Sequence, residues 1–255
     1  MFVRPHNLTL ALCCAFLVAA CQSAPEQPAS GETPDQTYAQ APVDVGDLQD
    51  PGPCRPSEDA WIWTMPSAPR ADRPTQIVAI STAHAIDQLY VTDPSGARRP
   101  LRADPAGGPP WSLLGSLFTS EPGIYQIDAV GRGQRAACAQ IEVGGGSSNH
   151  DPVAWDLPTE ALYAVWIERL FDGPPEQSVS WPSLTPVLTD PTRNLLYGYL
   201  GSGEDNRLIM EPDCADLPYI LRAYFAWKLG LPIAYRACSR GSASSPPRCE
   251  SATAD

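Results

Sequence analysis

The chain has 255 residues, with 29 acidic and 17 basic side chains and a net charge of −12. No basic stripe is available to displace counterions from phosphates, which sets nucleic acid aside as a partner. No CxxC, HExxH or EF-hand spacing provides a metal site, and no glycine-rich loop after a strand provides a phosphate or cofactor site.

The first element is a weakly basic start, Met1 to Asn7, followed by an apolar run from Leu8 to Val18 that is too short to span a bilayer. It therefore reads as a cleaved signal, residues 1–20. Its end, Leu17-Val18-Ala19-Ala20-Cys21, resembles a bacterial lipobox. That resemblance implies that the Cys21 thiol takes a diacylglycerol and holds the mature chain to a membrane. Gln22, standing where inner-membrane lipoproteins carry Asp, favours the outer membrane. Residues 21–53 follow as a tether. Gln22 to Pro53 has six prolines, six acids and no Lys or Arg, so it buries too little apolar surface to offset the entropy of ordering. As a flexible coil it spans about 30 Å.

Residues 54–143 have a β pattern. Gln76 to Thr82, Ile86 to Thr92, Ser112 to Thr119, Ile124 to Val130 and Arg135 to Val143 are short runs rich in β formers. They are separated by the turn signals Asp93-Pro94-Ser95-Gly96, Glu121-Pro122-Gly123 and Gly131-Arg132-Gly133. Strands at this spacing predict a small sandwich. Glu121 to Ile127 resembles the tyrosine corner of immunoglobulin-like domains, with Tyr125 either bonding back to an upstream backbone group or simply packing in the core. Trp61, Trp63 and Trp111 offer either core filling or a sugar-stacking surface.

A glycine- and serine-rich linker, residues 144–151, leads into residues 152–255, where the period becomes helical. Thr159 to Asp172 places Leu162, Val165, Trp166 and Leu170 on one face. Asp190-Pro191 opens a second, short helix that buries Leu195, Leu196 and Tyr199. Glu204 and Asp205, with Glu211 and Asp213, read as a solvated acidic loop. In the third helix Leu217, Ile220, Leu221, Tyr224 and Phe225 form one buried face, and Cys214 falls one turn earlier on the same face. That position aims a thiol toward the interior at a helix N-terminus, where unpaired N–H groups favour a thiolate. Asp213 and Asp216 form a capping-box-like pair, while Pro218 makes the first turn irregular or moves the helix start to near Asp216.

Asp213-Cys214-Ala215-Asp216 at the head of a helix resembles the papain-like cysteine hydrolases of bacterial envelopes, most nearly the NlpC-type cell-wall peptidases. Leu229-Gly230-Leu231-Pro232 also resembles bacterial transglutaminase-like domains. The resemblance covers Leu195 to Ala237 and implies that Cys214 is a nucleophile, with a following His as its base. Here His6, His84 and His150 all precede Cys214, so the expectation is a chain that continues beyond Asp255 in preference to an inactive domain. Setting aside Cys13, Cys14 and Cys21 leaves five cysteines. Cys54 with Cys138 and Cys238 with Cys249 are the candidate bridges, leaving Cys214 free; the alternatives are a buried apolar thiol or a bridge from Cys214 to Cys238 or Cys249.

The fold class expected is α+β multidomain, a small β-sandwich followed by a partial papain-like α+β domain. The function expected is that of an envelope lipoprotein hydrolysing amide bonds in peptidoglycan peptides, without cofactor or metal. The alternative is a non-catalytic adhesion or scaffold lipoprotein whose β domain binds peptidoglycan or an envelope protein.

Overall fold

The computed structural model describes residues 52–145, 154–176, 180–236, 238–251 and 253–254. The signal segment, His6, Cys21, the tether up to residue 51, His150 and most of the glycine-rich linker lie outside the described residues. Eight strands come first: β1 (Ala60–Met65), β2 (Thr75–Ser81), β3 (Gln88–Thr92), β4 (Arg98–Leu101), β5 (Ala103–Ala106), β6 (Trp111–Leu117), β7 (Gly123–Gly131) and β8 (Gln134–Val143). They form two antiparallel sheets, β1-β2-β6-β5 and β4-β3-β7-β8. Ile62, Ile77, Leu89, Leu113, Ile127 and Ile141 fill the space between the sheets. This is a β-sandwich of immunoglobulin-like form.

Alternation along β2 decides the next layer. Ile77 and Ala79 point into the sandwich, while Val78 and Ile80 point out, under the helices. A strand covered on both faces reads as an unbroken apolar run, as Ile77-Val78-Ala79-Ile80 does. On β1, Ile62 faces inward and Trp63 and Met65 face the helices, so Trp63 is core filling. The edge strands β4 and β5 each carry charge and a proline, Pro100 and Pro105. A proline has no N–H to offer, which blunts pairing with another chain at these edges.

Polar and covalent contacts add to the packing of the sandwich. The Tyr125 hydroxyl donates to the Glu121 carbonyl at 2.9 Å, with the ring buried, which is the tyrosine-corner geometry. Gly123 begins β7 at φ +147°, and a Cβ there would lie 2.6 Å from the Pro94 ring. On the outer face of the second sheet Asp128 is fully buried, ion-paired with Arg98 and lying 3.1 Å from Arg135 Nε. Arg135 also donates to the Pro53 carbonyl, and the Cys54–Cys138 disulfide joins the same segment to β8.

The helices are α1 (Leu157–Phe171), α2 (Thr185–Leu188) and α3 (Leu217–Leu229). Asp156 caps α1 by accepting the Thr159 N–H at 3.0 Å, and Pro158 occupies the first turn, where its missing N–H costs nothing. Leu162, Trp166, Leu221 and Phe225 pack with Trp63, Met65, Val78 and Ile80 in a second core on the outer face of the first sheet. Arg222 of α3 lies 3.5 Å from the Trp155 ring centroid, stacks also on Tyr163 and pairs with Glu160, which fastens α3 to α1.

The helix expected from Asp190 to Gly201 is instead a run of turns, and the short helix α2 precedes it. The Asp190 side chain takes the Thr192 N–H in a local turn, and Gly198, Gly201 and Gly203 all have positive φ, which a continuing helix cannot accommodate. Leu195 and Leu196 are nevertheless buried, as their spacing predicts. After α3, Gly230 in the left-handed conformation ends the helix. The strand structure described beyond it is β9 (Ala234–Tyr235) paired with β10 (Thr253–Ala254), and the Cys238–Cys249 disulfide crosses the intervening hairpin.

Candidate functional site

Cys214 is the free thiol among the described cysteines, and both expected bridges form around it. It does not face inward as the helical spacing predicts; it is exposed, in the turn before α3. The cause is Pro218. With Pro218 in the first turn, α3 starts at Leu217, so counting helical positions back to Cys214 runs past the end of the helix. Leu221, Tyr224 and Phe225 keep their predicted burial, while Leu217 and Ile220 are half-buried at the margin.

The turn itself is closed by Asp213. Its Oδ1 accepts the N–H groups of Ala215 at 2.8 Å and Asp216 at 2.9 Å, and its carbonyl accepts that of Leu217. Of the expected capping-box-like pair only the Asp213 half forms, its carboxylate accepting the Asp216 N–H, while the Asp216 side chain makes no cap bond. The amides of Ala215 and Asp216, the next two after the thiol, are therefore engaged with a carboxylate. His84, the one histidine among the described residues, lies in the β2–β3 loop with Nδ1 3.1 Å from the Ala85 carbonyl, and no hydrogen bond joins it to Cys214.

The largest polar assembly is one the sequence disguises. Glu204 and Asp205 are not a solvated loop; their side chains are 6% and 2% exposed, and both grip Lys228 of α3, which is fully buried. Lys228 Nζ donates to Asp205 Oδ2 at 2.6 Å and to Glu204 Oε1. Asp205 also accepts from the Tyr224 hydroxyl and the Gly198 amide, each at 2.6 Å. Asn194 donates to the Tyr224 oxygen at 2.8 Å and accepts from Trp166 Nε1 at 2.9 Å. This chain of contacts runs from α1 through the 194–207 segment to α3. Glu211 and Asp213 remain exposed, as expected.

Electrostatics fits a clasp better than a reaction centre. Burial pushes the Glu204 carboxyl up, but the Lys228 hydrogen bond, the backbone amides of Glu204 and Leu200 and the Lys228 charge outweigh it and hold the group at about 2. Burial, reinforced by the hydrogen bond to Asp205, pushes the Tyr224 phenol well above its ordinary range. Glu204 is thus held charged and Tyr224 neutral around pH 7, with each group's partner supplied from within the network.

A groove lies on the outer face of the first sheet, beside the edge strand β5. One part, about 470 Å³, is lined by residues including Gln76, Arg102, Asp104, Ser116, Arg169 and Thr192. The other, about 260 Å³, shares Gln76, Ser116, Pro191 and Leu195 with it and adds Met65 and Tyr197 among others. No group of His, Cys, Asp and Glu among the described residues is arranged to hold a metal ion.

No family model matches this chain, and no curated protein matches it. Among solved structures, the filamin domain of Lin-41 aligns over 37% of this chain and 100% of its own length, at 13% identity and a TM-score of 0.28. The sandwich is assigned from its own strand order and not from that likeness.

Proposed function

We propose that this chain is an outer-membrane lipoprotein, anchored through Cys21, that carries the nucleophile of a papain-like cysteine hydrolase acting on amide bonds of peptidoglycan peptides. The observation that supports this is the state of Cys214: four described cysteines are consumed in two disulfides, while this one is free and exposed just ahead of α3. In the reaction the thiolate attacks the amide carbon, the amine leaves with a proton from an acid, and water releases the acyl group from sulfur. The base and acid come from outside the described residues. The 255 residues alone are expected to be alkylated by iodoacetamide at Cys214 without cleaving peptidoglycan stem peptides, whereas protein that includes the residues supplying the base and acid should cleave them and lose cleavage in Cys214→Ala. Equal cleavage by wild type and Cys214→Ala removes the nucleophile. Labelled fatty acid is expected in wild type and not in Cys21→Ser; undiminished label in the variant removes the anchor.

A second reading, an adhesion or scaffold lipoprotein that binds an envelope partner through its β domain, is favoured by the Asp213 turn. Its carboxylate occupies the amides of Ala215 and Asp216, N–H groups ahead of α3 that would otherwise favour a thiolate at Cys214, and adds a negative charge beside it. No cleavage by protein that includes the residues supplying the base and acid, with binding to peptidoglycan or an envelope protein kept in Cys214→Ala, selects this reading.

A further inference from the structure

Two residues lining the groove on the first sheet each carry a solvent-shielded polar atom with no hydrogen-bond partner among the described residues: the acceptor Gln76 Oε1 and the donor Arg169 Nε. Such atoms are costly to leave unmet. Both belong to side chains with adjustable terminal torsions, and the Gln76 carboxamide turns with little resistance. An unmet acceptor and an unmet donor on two residues of one groove are the complements of the N–H and C=O of an amide. The charges add a direction. Arg102 makes no ion pair among the described residues, and Arg169 has only a long contact, 3.7 Å, with the exposed Asp172. Asp104, on the same wall, has no side-chain hydrogen bond among the described residues. Two arginines against one aspartate give the groove a positive balance in a chain of net charge −12.

We infer that this groove binds a short peptide with a free C-terminal carboxylate, which Arg102 and Arg169 hold while Gln76 reads the adjoining amide and Asp104 takes an ammonium or N–H group. A guanidinium presents paired donors that suit a carboxylate, and the volume lies in the range of small-ligand sites. The site stands apart from the proposed hydrolysis and does not need the Cys214 thiol.

The test is calorimetric titration of the full chain with tri-alanine, which carries an ammonium, two amides and a carboxylate. Saturable binding in the millimolar range or tighter is expected. Arg102→Gln should weaken it about tenfold or more, consistent with loss of a charge-assisted hydrogen bond, and Arg102→Lys should restore part of the loss. Gln76→Leu should weaken it several-fold, and tri-alanine amide should bind about tenfold less tightly than the free acid. Cys214→Ala should bind as wild type, so failure here is separable from failure of the nucleophile. Absence of binding at millimolar peptide, equal binding of acid and amide, or unchanged affinity in both Arg102→Gln and Gln76→Leu overturns the inference. Displacement of the peptide by an equal concentration of inorganic phosphate also overturns it, assigning the arginines to a phosphorylated ligand.

Discussion

Replacing Lys228 by methionine keeps most of the side-chain volume and removes the cation that Glu204 and Asp205 share. Breaking a buried ion pair by deleting one partner typically costs about 3–5 kcal/mol, because the remaining charge is left without compensation. Linkage gives a compatible figure from the carboxylate side. The Glu204 carboxyl is lowered from 4.5 to about 2 in the folded protein, which corresponds to about 3 kcal/mol of stability. Because the folded value is the lower one, that stability is complete above pH 4.5 and is lost as the pH falls toward about 2. In Lys228→Met burial still pushes the Glu204 carboxyl up and the backbone amides of Glu204 and Leu200 still pull it down, but the cation that held it lowest is gone, so protonation costs the variant less stability than it costs wild type. The assay is urea unfolding at a series of pH values from 3 to 7. Wild type should gain stability as the pH rises through the acid range. The variant should be about 3–5 kcal/mol weaker at pH 7 and should recover part of that loss on acidification. A variant within about 1 kcal/mol of wild type at pH 7, with the wild-type pH profile, would refute the clasp.

Tyr125→Phe removes the hydroxyl that satisfies the Glu121 carbonyl and should cost about 1 kcal/mol in chemical denaturation; unchanged stability would mean that this bond contributes nothing to the corner. Replacing both Cys54 and Cys138 by Ser should cost about 4.5 kcal/mol and the same change at Cys238 and Cys249 about 3, since the bridges close separations of 84 and 11 residues. Equal or reversed losses in urea midpoints would contradict the chain-entropy ordering.

The strands legible in the sequence are those whose environment writes a simple pattern. The apolar run of β2 and the alternation of β7 and β8 mark the sandwich to within a residue or two at most ends. β1 writes no such pattern, because both its faces are buried, which leaves Ala60 to Met65 without a polar rhythm. β4 and β5 were hidden by the proline and charge that suit an edge. In the candidate site, an odd cysteine count was enough to leave Cys214 over once the two bridges were paired. Pro218 marks the helix start near Asp216, where α3 begins, but the helical spacing that carries Cys214 inward ignores that stop, so the outward position of the thiol was not legible from spacing alone. The Lys228 clasp left no local signal: its carboxylates lie 23 and 24 residues upstream, and side by side in the chain they look like any solvated acidic turn.

The disulfide from Cys54 to Cys138 also sets how the molecule responds to mechanical load. Tension arriving from the N-terminal side reaches Cys54 and crosses the covalent bond directly into β8, bypassing the 84-residue stretch between the two cysteines. That stretch includes β1 through β7, so seven of the eight sandwich strands cannot be drawn out as extended chain while the bond is intact. At about 3.5 Å per residue, some 290 Å of contour length is withheld from an extending force. Reduction would release it, turning a stiff mount into a compliant one without altering any residue on the surface.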